Sequence, residues 1–192
     1  MGFRLRDVET DDLEVVHAAD ARYREHLRRF DTESNGTLWK YFYWDFFHDG
    51  WLTRFSVGDD LRTVELSIVC PNIERFDDTG AYECVDAAFD VELRHVVELA
   101  MSVDPPGAVD EELCCATLLY TEINTSPLAA SLSAADPDGV QWCSLMIEFD
   151  LGGPTLWLEA VFRDVSVVPQ EPVAFSAMEA DPRFKIGTYP RP

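Results

Sequence analysis

The ten residues Leu61-Arg-Thr-Val-Glu-Leu-Ser-Ile-Val-Cys70 decide the fold class. Val64, Leu66 and Ile68 alternate with Thr63, Glu65 and Ser67. That period of two belongs to a strand with one face buried and the other in water. Gly58-Asp59-Asp60 stands just before it. Glycine takes positive φ without penalty and aspartate accepts hydrogen bonds from the backbone that follows, so this is a turn. Residues 51–57 precede the turn, and the segments 51–57 and 61–70 are therefore predicted to form a hairpin.

Upstream lies Trp39-Lys-Tyr-Phe-Tyr-Trp-Asp-Phe-Phe-His-Asp-Gly-Trp51, in which eight of thirteen residues are aromatic. Each ring that is buried removes on the order of 150–250 Å² from water, so a few of them suffice to nucleate a core. Phe42, Phe46 and Phe47 have helical spacing. The block is predicted as a short helix, capped by Asn35 or Thr37, or an irregular aromatic plug. It ends in the turn His48-Asp49-Gly50, where Asp-Gly is the turn signal.

Outward from this unit the elements follow in order. Thr10-Asp11-Asp12 starts a helix predicted over about 11–29, with Leu13, Val16, Ala19, Tyr23 and Leu27 on one face and arginines toward its end. Residues 81–103 read as a long strand or a bent pair of strands. Asp104-Pro-Pro-Gly107 stops regular structure. Residues 113–123 form a strand apolar on both faces. Ser126 and Pro127 make the N-cap and first position of a short helix. Residues 140–150 and 155–168 make a second hairpin, and the proline-rich stretch 169–192 forms a tail. The chain is thus expected to be one mainly β domain (α+β) over 1–192. Its architecture would be a β-sandwich or strongly curved antiparallel sheet with an N-terminal helix, the β-rich body spanning about 39–168.

Charge narrows the partners. The 192 residues carry a formal charge of −21. Between Asp77 and Phe162 there are seventeen Asp or Glu and one basic residue, Arg94. Such a field repels nucleic acid and anionic membranes and speeds encounter with a cationic partner. No stretch approaches the ~20 apolar residues that span a bilayer, and the first residues lack the apolar core of a secretory signal. The five cysteines are odd in number and contain no Cys-x-x-Cys, which suits buried thiols in a reducing, cytoplasmic setting. A homodimer is a further expectation, because Trp142, Met146 and Trp157 sit on strand faces that look outward.

Chemistry-bearing patterns are sparse. His48 and Asp49 are adjacent, as a carboxylate-held base would be in part, but a His before Asp-Gly is ordinary turn chemistry. Asp77 with Asp78 and Glu111 with Glu112 are acidic pairs without the spacing of a calcium loop. No catalytic, cofactor-binding or metal-ligating residue is assigned. The binding candidates are Trp44, His48, Asp49 and Trp51 around the turn, and Asp77, Asp78, Glu111 and Glu112 in the acidic middle.

The run Trp44-Asp-Phe-Phe-His-Asp-Gly50 followed by a hairpin resembles a loose group of small uncharacterised bacterial proteins, in which a Phe-His-Asp-Gly or Phe-His-Asp-Ser turn leads into β-meanders. Some of that group look like immunity proteins of toxin systems. The resemblance covers about 39–73 and implies a β-rich fold with His48, Asp49 and Gly50 as a structural corner; it implies no activity. The expected function is a non-catalytic acidic binding protein, of the immunity-inhibitor type, that clamps a basic protein. The alternative is a small-ligand or carbohydrate-binding β domain, or a weak hydrolase, built on the aromatic block and His48-Asp49.

Overall fold

The computed structural model describes residues 13–28, 30, 37–42, 46–76, 82–104, 116–124, 126–152 and 154–170. Three helices, α1 (Leu13–Arg28), α2 (Thr37–Phe42) and α3 (Pro127–Ala135), accompany eight strands. The strands are β1 (Trp51–Val57), β2 (Thr63–Phe76), β3 (Tyr82–Arg94), β4 (Glu98–Asp104), β5 (Ala116–Asn124), β6 (Cys143–Asp150), β7 (Thr155–Phe162) and β8 (Asp164–Pro169). They form one sheet in the order β4-β7-β6-β5-β1-β2-β3-β8, antiparallel at every step. The chain is mainly β with an N-terminal helix, as the alternation predicts.

The order divides into two halves, β4-β7-β6-β5 and β1-β2-β3-β8. Two residue pairs, Trp51 with Thr117 and Leu52 with Ala116, join them on one side. The other side explains the curvature. β3 runs into β4 through residues 95–97, and β7 runs into β8 through Arg163 alone, yet each pair lies in opposite halves. These are two long bent strands that keep pairing around a corner. Arg94 faces Asp164 on one side of the bend and Glu98 faces Val161 on the other. Arg163 N–H donates to the Arg94 carbonyl at 3.1 Å and Val97 N–H to the Val161 carbonyl at 2.9 Å. Three residues, 95–97, oppose two, 162–163, so the corner is a bulge, the device by which strands change direction between packed sheets. His95 takes φ +56° there. The sheet is folded on itself without closing into a barrel, since β4 and β8 remain its two ends.

One apolar cluster fills the fold. It draws Leu66 and Ile68 from β2, Phe89 and Val91 from β3, Leu145 and Ile147 from β6, and Leu158 and Ala160 from β7. On α1, Ala19, Tyr23 and Leu27 are buried at four-residue spacing, one helical face. Of the short helix or irregular plug expected for the aromatic block, the described residues show a short helix, α2, and then a turn at 46–49. Leu38, Tyr41 and Phe42 on α2 and Phe47 after it are buried. Tyr41 stacks on Phe47 at 5.6 Å, and Phe46 and Phe47 meet Phe89 edge-on at 5.1 and 6.0 Å. Such contacts add roughly 0.5–1.5 kcal/mol each beyond the area they bury.

Several boundaries differ from the sequence reading. β2 does not stop at Cys70-Pro71; it passes the proline through a register shift between Cys70 and Ile73 and ends at Phe76. A bulge is where a strand tolerates a residue without an N–H. Residues 155–168 are two strands rather than one, broken at Arg163 by the corner. Met146, expected on an outward face, is 1% exposed, with Asn124 Nδ2 against its sulfur at 3.7 Å. Trp142 is half-buried and its indole N–H donates to Asp136 at 3.1 Å. Of the three residues expected on that outward face, Met146 is thus buried and Trp142 and Trp157 are half-buried.

Candidate functional site

The His48-Asp49-Gly50 turn is the hinge between the aromatic plug and β1. Asp49 takes φ +60°. Its N–H donates to the Leu118 carbonyl at 2.9 Å, and Leu118 N–H returns to the Gly50 carbonyl at 2.7 Å, locking the turn onto β5. A Cβ on Gly50 would sit 2.7 Å from the Phe47 carbonyl oxygen and 2.8 Å from Ile68 Cγ2, so only glycine fits. His48 Nδ1 lies 2.6 Å from the Leu119 carbonyl. A carbonyl can only accept, so Nδ1 carries the proton. Asp49 Oδ1 is 3.6 Å from Nε2. A carboxylate that orients a base must hold its N–H, and here that N–H already belongs to the backbone. Asp49 is therefore not the group that orients the ring; the backbone carbonyl of Leu119 is. Trp51 is half-buried beside it, while Trp44 lies outside the described residues.

The acidic candidates Asp77, Asp78, Glu111 and Glu112 also lie outside the described residues. Other acids form a face. The outer surface of β1-β2-β3-β8 carries Glu65, Asp86, Asp90, Glu92 and Asp164, with Arg54 and Arg94 among them. The ladder sets Glu65 directly opposite Glu92, and Asp90 opposite Ser67. Like charges so placed destabilise a sheet. Serines answer them: Ser56 donates to Glu65 at 3.0 Å, Ser166 to Glu92 at 3.2 Å and Ser67 to Asp90 at 2.6 Å. Arg54 reaches Glu65 at 3.4 Å and Arg94 reaches Glu92 at 3.7 Å. Asp90 takes its further bonds from the Gln170 amide at 3.1 Å, so its described donors are all neutral. The alternation Glu65-Leu-Ser67 and Asp90-Val-Glu92 carried this face in the sequence; the register that aligns the acids did not show there.

A second feature escaped the sequence reading. A cavity of about 370 Å³ is lined by His26 in the last turn of α1, Phe30 just after it, Asn124 at the end of β5, the small residues of α3, and Trp142. The buried Asn124 Oδ1 has no hydrogen-bond partner. α3 itself forms as expected, with Ser126 Oγ accepting from Ala129 N–H at 3.4 Å. Nearby, Asp136 accepts from the Trp142 indole and from the Asp138 and Val140 amides, with Arg163 at 3.7 Å. Burial works against ionisation of Asp136, but these bonds and the guanidinium charge outweigh it and hold the carboxyl below its ordinary value.

Cys70 and Cys143 are both buried, and burial pushes the Cys70 thiol up to about 12. A thiol so protonated is not a nucleophile near neutral pH. Among the described residues no group of three or more His, Cys, Asp or Glu could hold a metal ion, and no helix is long and apolar enough to cross a membrane.

No protein-family model matches the chain, and no curated protein is similar to it at a meaningful level. Among solved structures, it is similar to an uncharacterized protein from Neisseria gonorrhoeae, at 12% identity and a TM-score of 0.32, over 64% of this chain and 92% of that one. At that score the likeness carries no argument about either fold or activity.

Proposed function

We propose that this is a non-catalytic acidic binding protein that receives a basic partner protein on the outer face of β1-β2-β3-β8, in the manner of an immunity-type inhibitor. The supporting observation is Asp90, a carboxylate bonded only to neutral donors among the described residues, beside the directly opposed Glu65 and Glu92. A guanidinium or ammonium from a partner would relieve that repulsion, and the net charge of −21 would steer it in. The buried free thiol of Cys70 fits a cytoplasmic setting. The test is affinity capture from the producing cells at low and physiological salt, with the wild type and an Asp90→Asn/Glu92→Gln variant as parallel baits. A single stoichiometric basic protein that survives physiological salt and is lost from the variant supports the reading. Recovery of only abundant basic proteins, all removed by salt from both baits, overturns it.

A second reading rests on the cavity beside α3. Its 370 Å³ lies within the range of small-molecule sites, and Asn124 offers it an unused acceptor. This would be a small-ligand function, placed away from the aromatic block and His48. Filling the cavity with Ala134→Leu and losing the response of the wild type in a thermal-shift ligand panel would favour it; an unresponsive wild type would remove it.

A further inference from the structure

β4 is an end strand whose only strand partner among the described residues is β7. Leu99, Met101 and Val103 pair with Ala160, Leu158 and Leu156, of which Ala160 and Leu158 belong to the core cluster. These three therefore stand on the core side of the sheet. Yet Met101 is 51% exposed and Val103 39%, so the core side of β4 projects past what covers the rest. Among the described residues the backbone of β4 has no second strand partner either. Val97 N–H bonds the Val161 carbonyl at the bulge, and Glu98 pairs with Val161, Ala100 with Glu159 and Ser102 with Trp157. By the alternation of an antiparallel ladder, those residues turn their backbone groups to β7, and Leu99, Met101 and Val103 turn theirs to the open edge. An edge of this kind templates a further strand.

Charge decides what would occupy it. Glu98 and Asp104 bracket the strand, and Glu159 lies beside Ala100 on the outer side; all three are exposed and none has a basic neighbour in an ion pair among the described residues. A second copy of the chain is a poor occupant. Antiparallel self-pairing about Met101 sets Glu98 against Asp104 of the other copy, and parallel self-pairing sets Glu98 against Glu98. Each copy also brings a charge of −21.

We infer that β4 receives an extended segment of a basic protein as an added strand, with alternate apolar side chains against Leu99, Met101 and Val103 and alternate lysines or arginines over Ala100 and Ser102. Main-chain bonds hold the segment, and the pattern of side chains selects it. Ala100 and Ser102 are small, which leaves a lane over β4 for a long basic side chain to reach Glu159, with strands about 4.8 Å apart. This rests on the basic-partner reading and moves the main-chain contact from the acidic face to the edge.

The probe is a capped peptide of alternating lysine and valine, seven residues long with lysine at both ends. The control has the same composition with four lysines followed by three valines. Each is titrated into isotopically labelled protein and followed by amide shifts. The alternating peptide is expected to move the amides of residues 98–104 and to bind roughly tenfold tighter than the block peptide, the worth of one or two net hydrogen bonds. Met101→Pro removes one outward N–H and should abolish that difference, while Met101→Ala should keep most of it. Equal binding of both peptides, unaffected by Met101→Pro, overturns strand addition but leaves the acidic-face reading standing. Absence of binding by both peptides also overturns it, and the capture experiment with Asp90→Asn/Glu92→Gln then judges the basic-partner reading separately.

Discussion

Tyr23 and Ile123, 100 positions apart in sequence, meet through one hydrogen bond: the Tyr23 hydroxyl accepts the Ile123 N–H at 3.0 Å. The same hydroxyl donates to the Phe42 carbonyl at 3.0 Å, and the ring is fully buried. One side chain thus satisfies a strand amide and a helix-end carbonyl, and ties α1 and α2 to β5. Tyr23→Phe keeps the ring and orphans both backbone groups. The expected loss is about 1–3 kcal/mol, read as a lower urea midpoint at constant slope. A loss under about 0.5 kcal/mol would show that the hydroxyl does not hold the helices to the sheet.

Gly50 and His48 separate the structural from the chemical role of the turn. Gly50→Ala forces a Cβ against the Phe47 carbonyl and Ile68, and backbone cannot retreat as a side-chain tip can. It should cost on the order of 1–3 kcal/mol. His48→Ala removes only an exposed ring bonded to the Leu119 carbonyl and should cost less than half as much. Thermal melts of the two variants decide this; the reverse order would refute the corner.

Leu61 stands in the β1–β2 turn at φ +56° with 77% of its surface exposed. An L-residue in that region carries a penalty of roughly 1–2 kcal/mol that glycine escapes, and here burial offsets none of it. Leu61→Gly is predicted to raise the melting temperature by a few degrees. A lower melting temperature would mean that Leu61 makes a contact stronger than its backbone strain.

Acid stability should depend on two aspartates. Asp60 takes amide bonds from Arg62 at 2.8 Å and Thr63 at 3.1 Å; the Arg62 amide is the chief reason its carboxyl sits below the ordinary value. Asp136 is lowered likewise. A carboxyl that holds its proton less tightly when folded adds stability above its unfolded pKa and loses it as pH falls through the folded one. Urea midpoints should therefore be flat near neutrality and drop below about pH 4. An Asp60→Asn/Asp136→Asn variant should start lower and drop less. Parallel acid limbs for the two proteins would exclude these groups as the cause.

Local signals were legible where local chemistry decides. β1 occupies 51–57 as read from its turn signals, α1 lies within the predicted 11–29, and Ser126-Pro127 starts α3. The segment 81–103 reads as one long strand or a bent pair, and the structure holds the bent pair, β3 and β4. What local pattern cannot carry is register between distant strands. The opposition of Glu65 and Glu92, the open edge of β4 and the cavity beside α3 each depend on which strand lies beside which. Met146 shows the same limit, since alternation placed it outward and the packing of that face buried it.

The corner sets the order in which the molecule can be built. Arg94 and Asp164, which meet there, are joined by a long loop of chain, and closing it gains nothing until both halves exist to hold the bend. The local hairpins β1–β2 and β6–β7 can form first, but the step that unites them is non-local. Folding should therefore run on the millisecond-to-second scale of sandwich-like proteins, with the amides around residues 94–97 and 161–164 gaining protection from exchange after those of the hairpins.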